Sequence, residues 1–431
     1  MICSNLEKSP SGALIFAGLD TVELAARYGT PLYLFDADRV RYNCRSYTEG
    51  MKAFSGGGIA AYAGKAACFK ELYRIMKEEG MYIDVVSRGE IATAGDAGFD
   101  LSRAFFHSNN KTDADIDFAL DRGVGYFVVD GEDELFALES AAARKNMTQK
   151  VLLRLTPGID PHTFEAVSTG KVDSKFGSAI ETGQAEELFC KAAALEHISL
   201  EGFHCHVGSQ VFDSAVFFDA AQIMLSFIAE MKRKYGFETR VLDLGGGYGV
   251  RYVDADGYLD VTDNLRQVAK LVDEVCREKE LDPPVIVMEP GRSIVADAGL
   301  TLYTVGSVKR IPGYKNYVSV DGGMTDNPRF ALYGSRYTVL CANKINDPTG
   351  FLCSVVGRCC ESGDIIQENV FLPDSVKRGD LIAVCTTGAY NYSMASNYNR
   401  IPRPPVVMIE NGADRIAVKR ETEEDLMALD V

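Results

Sequence analysis

Three short runs of the chain carry residue types that can act together on an amine. Tyr62-Ala63-Gly64-Lys65 ends an apolar stretch with a lysine, a position where burial can free a nucleophilic amine. Glu289-Pro290-Gly291-Arg292 follows another apolar stretch, and its carboxylate suits a ring nitrogen while its guanidinium suits a phosphate or carboxylate. Cys360-Glu361-Ser362-Gly363-Asp364 supplies a thiol and an acid together. The three runs indicate an enzyme and suit a cofactor with an amine-reactive aldehyde.

Length and composition indicate a soluble protein of two domains. A chain of 431 residues exceeds one ordinary hydrophobic core, and its apolar fraction of 46% and charged fraction of 25% are those of globular proteins. The formal net charge of −16 argues against nucleic acid or an anionic membrane as partner. Residues 1–10 lack the apolar stretch of a signal peptide, and we expect no later segment to approach a membrane span.

Eleven cysteines are scattered along the chain without Cys-x-x-Cys spacing. This pattern is typical of reduced thiols, so we expect a cytoplasmic protein rather than one with a disulfide framework. Because the sequence also has no His-Glu-x-x-His run, we expect no metal site.

A repeated pattern of apolar run, turn and helical segment extends from about residue 58 to 291. Continuous apolar runs that alternate with helices predict a parallel sheet, and eight such units are typical of a closed (β/α)8 TIM barrel. A doubly wound open sheet is the alternative, although it usually needs fewer units. The predicted strands are Ile59–Ala63, Tyr82–Val86, Ala104–Phe106, Tyr126–Val129, Val151–Leu155, Leu200–Val207, Val241–Leu244 and Val285–Met288. The predicted helices include Phe69–Glu79, Asp113–Arg122, Glu132–Lys145, Ala185–Leu195, Ala215–Tyr235 and Asn264–Glu278.

After about Gly299 the pattern changes to strands joined by glycine and proline turns, which predicts a separate antiparallel β domain, a barrel or sandwich. We place the barrel at residues 37–298 and the β domain at residues 1–36 and 299–431. An early strand at Leu32–Phe35 could join either domain. The predicted strands of the β domain are Tyr317–Val320, Ala331–Leu340, Phe351–Val356, Leu381–Cys385, Pro405–Ile409 and Arg415–Val418.

Reactive side chains lie on or just after the carboxyl-terminal part of nearly every predicted barrel strand. In such barrels the residues just past the carboxyl ends of the strands face the active site, so these side chains are expected to converge. They are Lys65, Asp84, Ser87, His107, Asn109, Arg154, His204, His206, Gly245-Gly246-Gly247, Glu289 and Arg292.

Each of these residues, taken alone, also has an ordinary structural interpretation. Lys65 could be a surface lysine, the glycines at 245–247 could only allow a tight turn, and a lone histidine such as His206 is more often a satisfied core residue. Alternatively, the bare backbone of the three glycines could hold a phosphate. Glu289 differs, because a carboxylate on an apolar strand must find a cationic partner or become neutral.

In their order along the chain, these motifs resemble the fold-type III pyridoxal-phosphate decarboxylases, the group that acts on ornithine, arginine and diaminopimelate. The resemblance is strongest to the branch that acts on meso-diaminopimelate, and it covers essentially the whole chain. It implies an alanine-racemase-like barrel with a second β domain. The motifs are Tyr62–Lys65, Asp84–Glu90, Arg154–Asp160, His162-Thr163, Ser174–Gly177, His204–Gln210, Gly245–Gly249, Glu289–Ala296, Arg329–Tyr333, Cys360–Asp364 and Gly388-Ala389-Tyr390.

The resemblance implies pyridoxal 5'-phosphate as the cofactor. Lys65 would hold it covalently, His206 would stack on its ring, and Glu289 would pair with its ring nitrogen. Asp84 and Arg154 would lie around these groups, and the phosphate would be held by Ser209, Gly246, Gly247, Arg292 and Tyr390. The implied cofactor-binding residues are Lys65, Asp84, Arg154, His206, Ser209, Gly246, Gly247, Glu289, Gly291, Arg292 and Tyr390.

The resemblance also implies the reaction, which is decarboxylation of meso-2,6-diaminopimelate to L-lysine and carbon dioxide, the last step of bacterial lysine synthesis. The implied catalytic residues are Lys65, His206 and Cys360, and Cys360 or Lys65 would return a proton to the substrate carbon. The implied substrate contacts are Arg292, Arg329, Tyr333, Glu361 and Tyr390. In the family a second subunit completes the site, so a homodimer is expected in which Cys360 and Glu361 act across the interface.

Some positions depart from the family pattern, and they leave alternatives open. Ala67, which follows Ala66 where the family usually has asparagine, and Arg88, Ser108 and Phe330 replace residues that are usual in the family, and Cys359 adds a second thiol beside Cys360. One alternative is a related decarboxylase for D-lysine, D-ornithine or L-ornithine; the ornithine branch typically has Cys-Asp where this chain has Cys-Glu. A non-catalytic regulatory homologue and an alanine-racemase-like enzyme are others, disfavoured by the retained lysine and thiol and by the Cys360–Asp364 run.

Overall fold

The structure, a computed structural model, describes residues 1–159 and 174–431. Backbone contacts divide the chain into two units. The barrel unit comprises Asn43–Gly249 and Gly257–Gly291, and the sheet unit comprises Met1–Tyr42, Val250–Asp256 and Arg292–Val431. The segment Val250–Asp256, which the predicted bounds place in the barrel, thus groups with the sheet unit. The motif residues at 160, 162 and 163 lie outside the described residues.

The described residues form strands and helices in both units, numbered in chain order. The strands are β1 (Leu6–Lys8), β2 (Leu14–Phe16), β3 (Leu19–Asp20), β4 (Leu32–Asp36), β5 (Gly58–Ala63), β6 (Tyr82–Val85), β7 (Ala104–Phe106), β8 (Tyr126–Val129), β9 (Gln149–Thr156), β10 (Ser178–Ala179), β11 (Ile198–His204), β12 (Val241–Asp243), β13 (Val285–Met288), β14 (Gly299–Lys309), β15 (Tyr317–Val320), β16 (Val339–Cys341), β17 (Thr349–Val356), β18 (Ile365–Pro373), β19 (Leu381–Cys385), β20 (Val406–Glu410) and β21 (Ala413–Val418). The helices are α1 (Thr21–Tyr28), α2 (Ala37–Met51), α3 (Lys70–Glu78), α4 (Arg88–Asp96), α5 (Asp113–Asp121), α6 (Glu132–Arg144), α7 (Gln184–Ala193), α8 (Ser214–Tyr235), α9 (Val261–Glu278), α10 (Arg292–Val295), α11 (Arg329–Tyr333) and α12 (Glu423–Met427).

The barrel unit contains a closed parallel barrel. Its strands pair in the order β5-β6-β7-β8-β9-β11-β12-β13, and β13 returns to pair with β5. Alternate residues of each strand point into the barrel, and those that do are largely apolar. A buried cluster contains Ala61, Phe105, Val128, Leu152, Val241 and Val287. The predicted barrel is confirmed, and the open doubly wound sheet is excluded.

The local sequence sets the ends of the barrel helices. Thr112 and Asp115 form a reciprocal capping box at the start of α5, and Gly236 ends α8 in the left-handed conformation, with φ of 69°. Helix α4 was not predicted, because only two of its residues, Ile91 and Ala94, are buried and its apolar periodicity is weak. The Ser87 hydroxyl accepts the N–H of Glu90, so this predicted site residue caps α4.

The prediction that no segment approaches a membrane span was wrong for α8. By length and composition its 22 residues could cross a membrane. However, nine side chains of α8 are buried inside the protein. Phe227, for example, packs edge-on against Phe203 of β11 with the ring centroids 5.2 Å apart. The helix is therefore apolar because it covers the barrel strands.

The sheet unit is built around a mixed sheet in the order β18-β17-β15-β14-β4-β20-β21. Most of its pairs are antiparallel, as predicted, but β15 pairs with β17 and β4 pairs with β20 in parallel. The predicted strand at Ala331–Leu340 was wrong: Arg329–Tyr333 is a helical turn that Gly334 ends at φ of 63°, and only Val339–Cys341 is a strand. The early strand lies in the centre of this sheet as β4. Its apolar core includes Leu34, Leu300, Leu302 and Val407.

Candidate active site

In the barrel unit, Lys65 lies in a short 3₁₀ turn, Gly64–Ala66, directly after β5. Its Nζ lies 2.7 Å from Oδ2 of Asp84 on β6. The lysine side chain is 41% exposed, whereas the Asp84 side chain is fully buried. The register of the parallel strands explains this pair, because Ala63 lies opposite Asp84. The buried carboxylate thus fixes the position of an amine that remains accessible.

Glu289 follows β13 and is buried between two histidines. His204 Nε2 lies 3.3 Å from Oε2 of Glu289, and His107 Nε2 lies 2.6 Å from Oε1. The second contact is short but poorly aligned, so Oε1 and His107 Nε2 have no well-directed hydrogen-bond partner among the described residues. Burial alone would raise the pKa of the Glu289 carboxyl, but the two histidines hold it well below its usual range. Glu289 is therefore an anion with one oxygen still able to accept a hydrogen bond.

The protonation of His204 follows from its surroundings. Burial lowers the pKa of His204 to about 3, so the imidazole is neutral near pH 7. The contact with Glu289 assigns its proton to Nε2. Its Nδ1 is consequently an unprotonated nitrogen, buried and without a hydrogen-bond partner among the described residues.

Asp243, on β12, completes this buried cluster. Burial and the nearby charge of Glu289 raise the pKa of Asp243 well above its usual range. Its Oδ1 accepts the N–H of Gly245 over 2.8 Å, which ties the cluster to the glycine loop. One ligand atom from each of His107, His204, Asp243 and Glu289 lies within 4.8 Å of the others, close enough to surround one metal ion. The sequence did not predict this cluster, although His107, His204 and Glu289 were each placed on or just after a predicted barrel strand.

The glycine loop and His206 are held together after β11 and β12. The backbone N–H of Gly246 donates to Nδ1 of His206 over 3.2 Å, and burial lowers the pKa of His206 well below its usual range. A Cβ on Gly246 would lie 2.1 Å from the carbonyl oxygen of Glu289, so this close approach requires glycine. Val211 donates its N–H to the Gly247 carbonyl, which brings the turn containing Ser209 beside the loop.

Two further predicted residues of the barrel unit have clear positions. A Cβ on Gly291 would lie 2.9 Å from that of Ala63, so glycine lets the end of β13 pack against the turn that carries Lys65. The Arg154 guanidinium lies 4.3 Å from the ring centroid of Phe176, and its Nε is 3.8 Å from Asp130. Burial lowers the pKa of Arg154.

In the sheet unit, two buried arginines share the ring of Tyr390. The Cζ atom of Arg292 lies 4.8 Å from the ring centroid, and that of Arg329 lies 5.4 Å from it. Arg329 also lies 5.7 Å from the ring of Tyr333 and donates to the Ser335 hydroxyl over 3.2 Å. Within the described residues, Arg329 has no carboxylate partner and its Nε has no acceptor. This is the arrangement expected of a site for an anionic group.

Two tyrosines in the same region were not predicted from the sequence. The Tyr252 hydroxyl accepts a hydrogen bond of 2.7 Å from Arg292, and the Tyr252 ring packs edge-on against Tyr337. The Tyr252 carbonyl also accepts the N–H of Thr338, which fixes the segment Val250–Asp256 in the sheet unit. No sequence pattern indicates this role, because Tyr252 lies in a loop between barrel elements.

Cys360 and Glu361 lie in an exposed loop of the sheet unit. The N–H of Cys360 donates to Oδ1 of Asn399 over 2.8 Å, and Glu361 Oε1 accepts the N–H of Gly363. Among the described residues, neither side chain pairs with Arg329 or Tyr333, so the structure does not bring these two predicted groups together within one chain.

Residues 38–296 match the family model of the pyridoxal-dependent decarboxylases, pyridoxal binding domain. The chain belongs to that family. It is 45% identical over 423 residues to the diaminopimelate decarboxylase of Bacillus subtilis (strain 168), and the aligned region covers 97% of this chain and 95% of that enzyme. It is 40% identical to that of Staphylococcus aureus (strain COL), with 97% and 98% covered.

A solved structure gives the same result. The diaminopimelate decarboxylase of M. jannaschii, crystallised with L-lysine, has a TM-score of 0.93 and 30% identity, and the match covers 100% of this chain and 98% of that one. Within the pyridoxal-dependent decarboxylases, the chain is therefore a member of the diaminopimelate decarboxylase family.

The donors of the barrel unit fit pyridoxal phosphate. The accessible amine of Lys65 suits the aldehyde of the cofactor. Oε1 of buried Glu289, which has no well-directed hydrogen bond within the described residues, can accept one from a protonated ring nitrogen. The imidazole of His206 is held by the N–H of Gly246, and the bare backbone of the glycine loop beside it allows a phosphate to approach closely.

Proposed function

We infer that the protein decarboxylates meso-diaminopimelate to L-lysine and carbon dioxide with pyridoxal 5'-phosphate. When bound, this cofactor supplies an aldehyde that joins the substrate amine and a ring that accepts the electron pair left by carbon dioxide. The family membership supports the reaction, and the residues of each unit support their own roles in it.

The barrel-unit residues hold the cofactor in this proposal. Lys65 supplies the amine that joins the aldehyde, and Asp84 holds that amine in place over 2.7 Å. Glu289 accepts a hydrogen bond from the ring nitrogen and keeps it protonated, which stabilises negative charge arising on the substrate. His206 lies against the ring face, the Gly247 amide donates to the phosphate, and Gly246, whose N–H is donated to His206, leaves room beside it.

The substrate assignment rests on the surroundings of Arg329. Arg329 is 8% exposed, and no carboxylate among the described residues neutralises it. A buried guanidinium without an anionic partner is costly, so a carboxylate of the substrate is its expected partner. The distal end of meso-diaminopimelate carries such a carboxylate, whereas ornithine and lysine lack one. Arg292 and Tyr390 assist, and Glu361 takes the distal ammonium.

The test compares four substrates with the cofactor-loaded enzyme. Release of carbon dioxide is measured with meso-diaminopimelate, D-lysine, D-ornithine and L-ornithine. Turnover confined to meso-diaminopimelate is expected. Turnover of another amino acid alone would place the enzyme in a sister branch, and inactivity toward all four would favour a regulatory homologue. Lys65→Ala should lose the visible absorbance of the covalently held cofactor, and its persistence would contradict the role of Lys65.

We further propose a homodimer in which Cys360 and Glu361 serve the active site of the partner subunit. Both residues are exposed, and among the described residues neither pairs with Arg329 of its own chain; these two observations support the proposal. Cys360 returns the proton to the substrate carbon. Mixing inactive Lys65→Ala and Cys360→Ala subunits should restore part of the activity, because one site of the mixed dimer has both groups. No recovery after proven subunit exchange would refute the arrangement.

We also propose that the enzyme acts in the cytoplasm, which the eleven cysteines without Cys-x-x-Cys spacing favour. Fractionation of the producing cells, with activity measured in each fraction, tests this.

A further inference from the structure

The buried pair of histidines beside Glu289 has no role in the reaction described so far. His107 is 4% exposed and His204 is 1% exposed, and both come from the carboxyl ends of barrel strands. Their rings meet edge to face with centroids 4.9 Å apart. The Nε2 of His204 contacts Oε2 of Glu289, and the Nε2 of His107 lies 2.6 Å from Oε1. Apolar side chains fill most other buried positions of the barrel, so packing alone does not explain why two histidines lie on either side of one carboxylate.

We propose that His107 and His204 are positioning residues that hold Glu289 as an anion in one orientation, with a lone pair directed at the cofactor ring nitrogen. This inference rests on the proposed function, because it assigns these residues to the ring-nitrogen partner of that same site. A carboxylate has about four acceptor positions, two on each oxygen. His204 occupies one position on Oε2 and the close contact of His107 confines Oε1, which together restrict the carboxylate plane and leave an acceptor position for the ring N–H.

The effect on the ring nitrogen follows from basicity. A carboxylate that accepts hydrogen bonds is a weaker base, so a proton shared between it and the ring stays on the nitrogen. Without the histidines, the buried carboxylate would take up that proton and both groups would become neutral. The ring would then attract electrons less strongly, and the cofactor would lose an ion pair.

His107 also connects the two anchoring points of the cofactor. Its Nε2 lies 2.6 Å from Glu289 and 3.9 Å from Oδ1 of Asp84, whose other oxygen pairs with Lys65. Asp84 Oδ1 is itself buried without a hydrogen-bond partner among the described residues. A change at His107 therefore reaches both carboxylates, whereas His204 pairs with Glu289 and not with Asp84.

The experiment uses paired substitutions of the full chain. His204→Gln and His107→Gln keep a donor near the position of Nε2, and His204→Leu and His107→Leu remove it at similar volume. Binding of pyridoxal phosphate to each apoprotein is measured by equilibrium titration, and the absorbance spectrum of the bound cofactor is recorded at one pH. The Leu variants should bind the cofactor at least about 10-fold more weakly with a shifted spectrum, and the Gln variants should stay within about 3-fold of the parent with its spectrum.

A double-mutant cycle separates positioning from packing. In a Glu289→Gln background, His204→Leu should weaken cofactor binding no further, because the group it positions is gone. Equal losses for the Leu and Gln variants, or additive losses in the cycle, would overturn the proposal. If Glu289→Gln alone changes neither affinity nor spectrum, the role of Glu289 in the proposed function fails first. Should His204→Leu not fold, His107→Leu, on a different strand, gives the same test.

Discussion

Asp364 binds the backbone of Cys359, with its Oδ2 accepting the N–H of that residue over 2.7 Å. Its other oxygen accepts the N–H of Met324 over 2.6 Å, and the carboxylate is buried, with 3% of the residue exposed. A Cβ on Gly357 would lie 2.3 Å from this carboxylate, so the strand before the loop closes tightly on it. One buried acid thereby sets the path of the loop that presents Cys360.

Asp364→Asn should reduce turnover while leaving cofactor binding intact. An amide offers one acceptor where the carboxylate offers two, so one backbone N–H would face another N–H, at a cost of about 1–3 kcal/mol. The loop would move and Cys360 would lose its position. Turnover number and cofactor affinity are measured side by side, with Asp374→Asn, an exposed carboxylate of the same unit, as the control. An unchanged turnover number would contradict the role of Asp364.

Arg329→Gln should lower kcat/KM for meso-diaminopimelate roughly 100-fold, as expected for about 3 kcal/mol lost with a buried charged contact. The cofactor affinity should not change. Arg336, a more accessible arginine seven residues further on, gives the matched control Arg336→Gln. Steady-state kinetics of both variants check this, and similar losses in the two would argue against a specific site for the distal carboxylate.

Asp326 should make the protein less stable as the pH rises from about 4 to about 7. Burial raises the pKa of its carboxyl from 3.8 to about 7. The folded state then holds a proton that the unfolded state releases above pH 4, so the stabilising effect is full below pH 4 and is lost between pH 4 and 7. Asn keeps the partners, since its oxygen can accept from Gly323 and its amide can donate to Tyr303.

Thermal unfolding of Asp326→Asn at pH 5 and pH 8 measures this effect. The stability of the variant relative to the parent should rise by about 3 kcal/mol from pH 5 to pH 8, at about 1.4 kcal/mol per pKa unit. Asp133→Asn, at an exposed position, should not alter the pH dependence. A variant that tracks the parent at both pH values would show that Asp326 does not titrate in this window.

Ser108→Gly should stabilise the protein by about 1 kcal/mol. Ser108 has φ of +139°, in the region that favours glycine, and this is one of the positions where the chain departs from the family pattern. The gain is partly offset, because the Ser108 hydroxyl accepts the N–H of Asn110 over 3.1 Å. Ser140→Gly, inside α6, should have the opposite effect. Urea unfolding measures the change in the free energy of unfolding of both variants. A loss of stability in Ser108→Gly would show that the backbone at Ser108 is not strained.

The barrel could be predicted because its strands are buried on both sides and therefore appear as short apolar runs between helices. The same logic placed Lys65, Asp84 and Glu289 at strand ends, where the structure brings them near buried partners. The sheet unit was harder, since its long strand β14 follows directly after α10 and has no distinctive flanking turn. The Arg329–Tyr333 run alternates little and is too short for a helical period to be recognised.

The site could be predicted only residue by residue. Pairing depends on register and on rotamers, which the sequence does not display. Nothing in the order of residues indicates that His107 and His204 approach opposite oxygens of Glu289, or that Tyr252 accepts a hydrogen bond from Arg292 within the sheet unit. Where side chains are gathered from distant strands, the fold has to be known before the chemistry can be assigned.

The central place of β4 determines when the sheet unit can be finished during synthesis. Leu32–Asp36 leaves the ribosome before either of its neighbours, which are β14, after all eight barrel strands, and β20, which begins at Val406. The nascent chain must therefore carry this fully buried apolar strand without its full set of neighbours until β20 emerges. A message truncated before Val406 would release a chain with an open apolar edge, a product inclined to aggregate rather than a smaller enzyme.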